Sequence, residues 1–477
     1  MNKQLFAVAS LAGVLVACTP ALQPVPVGVN VSAPIAWRTQ ITDAGPVEAR
    51  WWQSFGDPML SQLVEAARTN NPDVNVATAR VAEARATEQV SRALLLPSIG
   101  AGVDAAVRRE VNPLGRSQES LVAMPAFQAS YEVDLFGKNR ARIDAAEANF
   151  AAAKAAEDAA RLSVTAATAS GYVTLIALDA RLDVLKQTLR SREEAVKFAR
   201  DRAEVGYTSQ LELRQAQAEY AATAQQVPQA EAQIARQENA ISVLTGILPA
   251  AITRGGGLNG LIQPASPDIL PSDLLRRRPD VAAAEYRIAA ADAQMRSARA
   301  QFMPSINLGA SAGLALSDLL SNPISIWSIG GSILAPIFQG GRLEGQLNAV
   351  TAQRDQAAWA YRATALNAFR EVEDRMVTLK KLDEQQLSLR AQQAAANDVL
   401  RHTRNRYRAG YISYIEQLDA QRASLNVELA LVQLRADRFT TLIGLYQAFG
   451  GPLADNAAEI ARRNMMLNEI SNVTSVW

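Results

Sequence analysis

Asn139–Val205 reads NRARIDAAEANFAAAKAAEDAARLSVTAATASGYVTLIALDARLDVLKQTLRSREEAVKFARDRAEV, with no proline and a single glycine, Gly171. At 1.5 Å per residue a helix of about 67 residues reaches ~100 Å, whereas ordinary globular helices have about 11–12 residues. A second run, Gln346–Ala409, lacks both proline and glycine and would reach about 95 Å on the same rise. Helices this long cannot wrap a compact core. The expected fold is mainly α, long and coiled-coil-like.

Composition narrows the partners. The chain has 48 Lys+Arg against 47 Asp+Glu, a net charge of +1, which supplies no field to attract nucleic acid. Hydrophobic residues make up 49% but aromatics only 6%, because alanine carries much of the apolar share. Alanine has the best helix propensity and lets helices approach closely. The single cysteine, Cys18, and single histidine, His402, exclude an internal disulfide and a His/Cys metal cluster. No metal or cofactor is expected beyond a covalent lipid.

That lipid is read from the first residues. Lys3 supplies a positive n-region, Leu5 to Val16 a short apolar h-region, and Leu15-Val16-Ala17-Cys18 a lipobox. Residues 1–17 are then a signal peptide, too short to span a bilayer, with a diacylglyceryl group on Cys18. An ordinary secretory signal with an incidental cysteine is the bland alternative. The lipobox is favoured because the only cysteine falls at its one meaningful position. Thr19, where an aspartate would retain the protein at the inner membrane, points to the outer membrane.

The middle of the chain is duplicated. Asn71-Pro72-Asp73-Val74 recurs as Arg278-Pro279-Asp280-Val281, and Pro97-Ser98-Ile99 as Pro304-Ser305-Ile306, both at an offset of 207. Gly206-Tyr207 recurs as Gly410-Tyr411, and Gly246 as Gly450, both at 204. Each half carries two stretches of period two, expected as strands at 97–108, 126–136, 304–316 and 326–338. Their apolar faces are Ile99, Ala101, Val103, Ala105, Val107; Phe127 to Leu135; Ile306 to Leu314; and Trp327, Ile329, Ile333. The intervening turns are expected at Glu110–Gln118 and Leu316–Asn322. Each run is about the length that crosses a bilayer when tilted. A spanning barrel satisfies its backbone only by closing, and needs at least about 8 strands. Four strands must therefore borrow neighbours, and three copies would supply twelve.

The domain reading follows. After the signal peptide come an extended lipid-anchored segment (18–57), a first repeat (58–250), an equatorial linker (251–278), a second repeat (279–451) and a tail (452–477). Asp57-Pro58 starts a helix running to about Leu96, with a bend near Asn71-Pro72. The returning helices are expected over Gln210–Thr245 and Ser413–Phe449.

The text Trp51-Trp52-Gln53-Ser54-Phe55-Gly56-Asp57-Pro58, Asp134-Leu135-Phe136-Gly137, Asp273-Leu274-Leu275-Arg276-Arg277-Arg278-Pro279-Asp280-Val281, Pro336-Ile337-Phe338-Gln339-Gly340-Gly341-Arg342 and Leu418-Asp419-Ala420-Gln421-Arg422 resembles the outer membrane factor family. These are the TolC-like ducts of tripartite efflux and secretion systems. The chain is most like the NodT/OprM-type lipoproteins that serve RND multidrug pumps. The resemblance implies a homotrimer in the outer membrane, with a twelve-stranded barrel, a periplasmic helical tunnel and an equatorial domain. It also implies a membrane fusion adaptor and an inner-membrane RND transporter as partners.

A conduit needs wall polarity and a gate rather than catalytic groups. The helix reversals bring Tyr407, Gly410, Ile415, Glu416 and Asp419 near one end. Ile415 and Asp419, four apart, share a face, and threefold repetition would make an apolar and an acidic ring. The resemblance aligns both with the constriction rings of OprM-type ducts, and Glu212 with an entrance carboxylate of TolC. TolC has an arginine where this chain has Ile412, so its lock does not transfer whole; Tyr407 and Arg408 are the expected substitutes. Val205, Gly206, Tyr207, Ala409, Gly410 and Tyr411 form the tips expected to meet the adaptor. Gly206 and Gly410 are expected at positive φ. Tyr411 and Tyr414 are expected to pack.

Other motifs carry less. Gly255–Gly260 has a GxGxxG pattern, but prolines on both sides favour a flexible loop over a dinucleotide site. Arg276–Arg278 caps a helix start, and Glu371, Glu373 and Asp374 read as a solvated or lumen-facing helical face. No catalytic constellation is present, so the protein is expected not to be an enzyme. The competing readings are the outer duct of a type I protein secretion system and a lipid-anchored periplasmic coiled coil or adhesin.

Overall fold

The computed structural model describes residues 26, 28–29, 31–39, 44–45, 48–111, 115–267, 269–318 and 320–451. The expected signal peptide, Cys18 and the tail from Pro452 lie outside the described residues. The chain divides into two compact units, Met1–Val31, Ala79–Lys154 and Ala283–Ala363 against Ser32–Thr78, Ala155–Ala282 and Thr364–Trp477.

In chain order the main elements are α1 (Pro58–Asn70), α2 (Pro72–Arg92), β1 (Ser98–Val111), β2 (Ser117–Val133) and α3 (Lys138–Glu204). There follow α4 (Gln210–Ala224), α5 (Gln226–Leu244), α6 (Pro271–Arg277) and α7 (Pro279–Ala300). The chain ends in β3 (Ser305–Ser317), β4 (Ile324–Leu334), α8 (Arg342–Arg408) and α9 (Tyr414–Ala448). Both expected long helices are present, at 67 residues each. One window of α3 is apolar enough to cross a bilayer, but 56% of it is buried inside the protein, as packing between helices requires.

Local chemistry sets the helix ends. Asp57 accepts from the amides of Met59 and Leu60 at 2.8 and 3.1 Å, with Pro58 at the first helical position where its missing N–H costs nothing. Asn71 does the same for Asp73 and Val74, so the expected bend is a full break between α1 and α2. The helix expected over Gln210–Thr245 is also divided, at Gln225. Pro228 explains the break, since a proline ring clashes with the carbonyl four residues back, here Ala224, where α4 ends.

In the first unit the strands form one antiparallel sheet in the order β1-β2-β3-β4. The register places Ile99 opposite Ala129, Ala129 opposite Ala310 and Ala310 opposite Ile329. The row Ala101, Phe127, Ala312, Trp327 lies beside it. The four apolar faces read from the sequence thus coincide on one side, where Ile99, Val103, Phe127, Trp327, Ile329 and Ile333 are exposed. The other side carries Gly100, Gln128, Ser311 and Ser328 in a row. There Ser98 and Ser130 hydroxyls lie 2.7 Å apart, and Ser311 and Ser328 2.8 Å.

Strand bounds differ from the periodicity. β1 continues to Val111 and β2 begins at Ser117, well before residue 126, because Arg109–Glu119 and Glu110–Gln118 pair in the ladder although they are polar. Alternation detects a half-buried face and misses a ribbon wet on both sides. β2 stops at Val133 and β4 at Leu334, short of 136 and 338. At the first stop Asp134 turns to accept from the amides of Asn139 and Arg140, starting α3. Within this unit Arg92 pairs with Glu147 at 2.6 Å and Arg296 with Asp144 at 2.9 Å, tying α2 and α7 to α3.

The second unit is cored by aromatics. Trp51 stacks on Tyr446 with ring centres 5.1 Å apart and packs edge-on against Phe55. Trp37 donates to the Ile269 carbonyl at 2.7 Å between Phe369 and Phe449. Buried Tyr172 donates to Asp57 at 3.1 Å and accepts from the Gly255 amide at 2.8 Å; burial pushes its phenol up to about 12. The glycine run is therefore a fitted segment: Gly255 abuts Asp57, and Gly257–Gly260 form one helical turn rather than a flexible loop. Glu371, Glu373 and Asp374 are engaged as well, with Arg278, the Arg38 amide and Arg370.

Candidate gate at the helix reversals

The two long helices end in the same turn. Gly206 (φ +79°) and Gly410 (φ +81°) occupy the left-handed region. The Tyr207 amide reaches the Arg202 carbonyl at 2.8 Å, and Tyr411 reaches Arg406 at 2.9 Å. This is the Schellman arrangement, in which glycine relieves the strain of positive φ while the last carbonyls are satisfied. A Cβ would meet nothing within 4 Å at either site, so conformation alone demands glycine. Val205, Tyr207, Ala409 and Tyr411 are exposed. Tyr411, expected to pack, is 78% exposed because the turn carries it beyond the last helical contact; Tyr414 is buried as expected.

Behind the tips lies a small core of Ala199, Leu213, Ala216, Tyr407, Tyr414 and Leu418, drawn from both halves of the duplication. Tyr407, 5% exposed, sits between the rings of Phe198 and Tyr414 at 5.9 and 5.7 Å. The Arg202 guanidinium lies over Phe198 at 5.4 Å and Tyr407 at 5.8 Å, within cation–π range. The Tyr407 hydroxyl donates to Glu212 at 3.4 Å. Burial, then the Glu212 charge, pushes this phenol up to about 12, so it remains a donor at neutral pH.

A second cluster lies along the same helices. Buried Arg192 on α3 donates to the Glu219 carboxylate and carbonyl on α4, both at 2.7 Å. Arg422 on α9 donates to the other oxygen of Glu219 and lies 3.7 Å from Asp419. Burial opposes the charge of Glu219, but bonds and charges from Arg422 and Arg192 outweigh it and hold the carboxyl below its ordinary range.

Tyr407 and Glu212 are thus brought together across the two halves. Arg408, next to buried Tyr407, is exposed. Glu416 is occupied locally, accepting from the Ser413 amide at 3.3 Å and hydroxyl at 3.2 Å in a capping box. Ile415 and Asp419 are exposed, as ring-forming residues would be in a single chain. Phe198, Arg202, Arg192 and Glu219 escaped the sequence reading. Nothing in their spacing marks them, although Phe198 and Arg202 do share a helical face. Among the described residues no group of His, Cys, Asp and Glu could hold a metal.

A two-faced, membrane-type sheet joined to very long helices defines an outer membrane channel of the TolC-like class. Comparison with known proteins gives the family: residues 63–247 and 270–451 match the outer membrane efflux protein model, and the chain belongs to that family. It is 32% identical over 421 residues to the probable efflux pump outer membrane protein TtgC of Pseudomonas putida, covering 87% of each chain. It is 32% identical to the outer membrane protein OprJ of Pseudomonas aeruginosa, covering 86% of this chain and 88% of that one. Among solved structures, the Campylobacter jejuni CmeC outer membrane channel superposes with a TM-score of 0.83 over 93% of this chain and 97% of that one, at 23% identity. The Vibrio cholerae outer membrane protein VceC gives 0.79 over 86% and 100%, at 28% identity. The protein is therefore an outer membrane efflux channel whose helical tunnel extends into the periplasm.

Proposed function

We propose that this protein is the passive outer duct of an RND-type tripartite multidrug pump, working as a homotrimer anchored by a lipid on Cys18. The observation that carries the reading is the four-stranded sheet. It has an exposed apolar side, a serine- and glycine-rich side, and outer edges on β1 and β4 that have no ladder partner among the described residues of one chain. Such edges are untenable in hydrocarbon, and three copies closing edge to edge give twelve strands around a polar lumen. The relatives named as efflux pump outer membrane proteins support a periplasmic adaptor and an inner-membrane transporter as partners.

The duct needs no cofactor and performs no catalysis. Its chemistry is confined to the tip, where Ile415 and Asp419 form stacked apolar and acidic rings about the threefold axis. The Tyr407–Glu212 and Arg192–Glu219–Arg422 contacts hold these helices in the resting state, and the exposed residues 205–207 and 409–411 face the adaptor. The test is oligomer mass in detergent combined with planar-bilayer recording. A trimer that conducts weakly at rest is expected; a compact, non-conducting monomer would refute the reading.

A further inference from the structure

The duplication builds one device twice at the ends of β2 and β4. In the first half it is Leu135-Phe136, then Gly137, then Lys138 opening α3; in the second it is Ile337-Phe338, then Gly340 and Gly341, then Arg342 opening α8. All three glycines have positive φ. The four apolar side chains are exposed, Phe338 at 88%. Leu135 and Ile337 keep the alternation of the apolar side past the last ladder pairs, Phe136 and Phe338 follow them, and each run stops at a cation. Lys138 is committed to Glu132. Arg342 is exposed, and among the described residues its guanidinium donates to the neutral Gln339 amide oxygen. A cation at the first helical position also opposes the helix dipole, a small cost that an external anion would offset. Between the two junctions lies an open groove of about 580 Å³, lined by Phe136, Ile337, Phe338, Lys138 and Arg342 among others.

We propose that these junctions form a phospholipid-binding rim at the periplasmic leaflet, with Leu135, Phe136, Ile337 and Phe338 against acyl chains and Arg342 against a headgroup phosphate. The occupant is a free glycerophospholipid of the bilayer. The proposal deepens the barrel reading above and rests on it.

The test is depth-resolved quenching of the full-length lipoprotein in phosphatidylglycerol-containing vesicles. An environment-sensitive fluorophore is placed at Phe338→Cys, Ile329→Cys or Ile415→Cys, with wild type, whose only cysteine is Cys18, as the blank. The Phe338 position is expected to be quenched best by a headgroup spin label, Ile329 by an acyl-chain label, and Ile415 by neither. No quenching at Phe338 with normal quenching at Ile329 would overturn the rim, whereas loss at Ile329 would overturn the barrel reading itself. Native mass spectrometry should show phosphatidylglycerol retained about fivefold less by Arg342→Ala than by wild type, with Arg342→Lys restoring it. Equal retention in all three would also overturn the proposal.

Discussion

The Arg278 guanidinium donates to the Ala448 carbonyl at 3.0 Å, and the Asn71 amide donates to the Leu244 carbonyl at 2.9 Å. The two contacts are counterparts in the duplication, at offsets of 207 and 204 residues. Each stitches the start of a helix to the end of the returning helix. The longer arginine also gathers Asp280 and Glu371, each at 2.7 Å. One backbone requirement is therefore met by two different side chains.

Arg278 is buried with three acceptors, so Arg278→Ala should destabilise the second half by about 2–3 kcal/mol, typical of charge-assisted hydrogen bonds lost in a protected site. Arg278→Asn should recover part of that loss by copying the first-half contact. Denaturant unfolding of the assembled protein checks this. Equal losses in the two variants would show that the Ala448 contact is not what matters.

The long helices, the duplication and the inward–outward alternation of the strands were legible because each is a periodic signal along one segment. Pairing across 195 residues between Tyr407 and Glu212 has no such signature. Glu212 and Glu416 show the limit: they are equivalent by duplication, yet one reaches Tyr407 and the other caps its own helix. Which role each takes depends on the neighbour across the packed helices. Tyr411 fails for a related reason, since composition cannot say that a turn leaves a ring beyond its last contact. The polar ends of β1 and β2 were missed because paired strands without a buried face do not alternate in hydrophobicity.

Gly313 lies where β3 crosses Pro125, which has no amide to offer the ladder. A Cβ there would fall 2.3 Å from the Pro125 carbonyl oxygen and 2.7 Å from Ala126 Cα. Backbone cannot yield as a side-chain tip can, so Gly313→Ala should cost about 1–3 kcal/mol by overpacking and lower the yield of assembled protein in the outer membrane. Gly309→Ala is the control, because its Cβ would come no closer than 4.0 Å to Ala129 O. Equal yields from both would remove the steric argument.

Glu219 couples the tip to acid. Its folded carboxyl titrates below the ordinary 4.5 because Arg422 and Arg192 overcome the penalty of burial. The stabilisation is therefore complete above 4.5 and is lost as pH falls through the lower folded value. Resting conductance should stay flat from pH 7 down to 4.5 and rise below that, as the folded carboxyl is protonated and the clasp on Arg422 is released. Glu219→Gln should conduct more at neutral pH and lose the acid step. A variant that still shows the same rise would place the titrating group elsewhere.

Asp419 tests the ring itself. Its side chain is 69% exposed in one chain and only 3.7 Å from the exposed Arg422, a surface pair worth ~0–1 kcal/mol. Asp419→Ala should therefore leave folding almost unchanged. About a threefold axis, however, three such carboxylates at a constriction would favour cations and bind the helices through their shared arginines. Removing them should raise resting conductance and weaken cation preference together. Asp419→Asn separates charge from size: cation preference should fall as far, with a smaller rise in conductance. If conductance and selectivity both match wild type in the alanine variant, Asp419 does not line the gate.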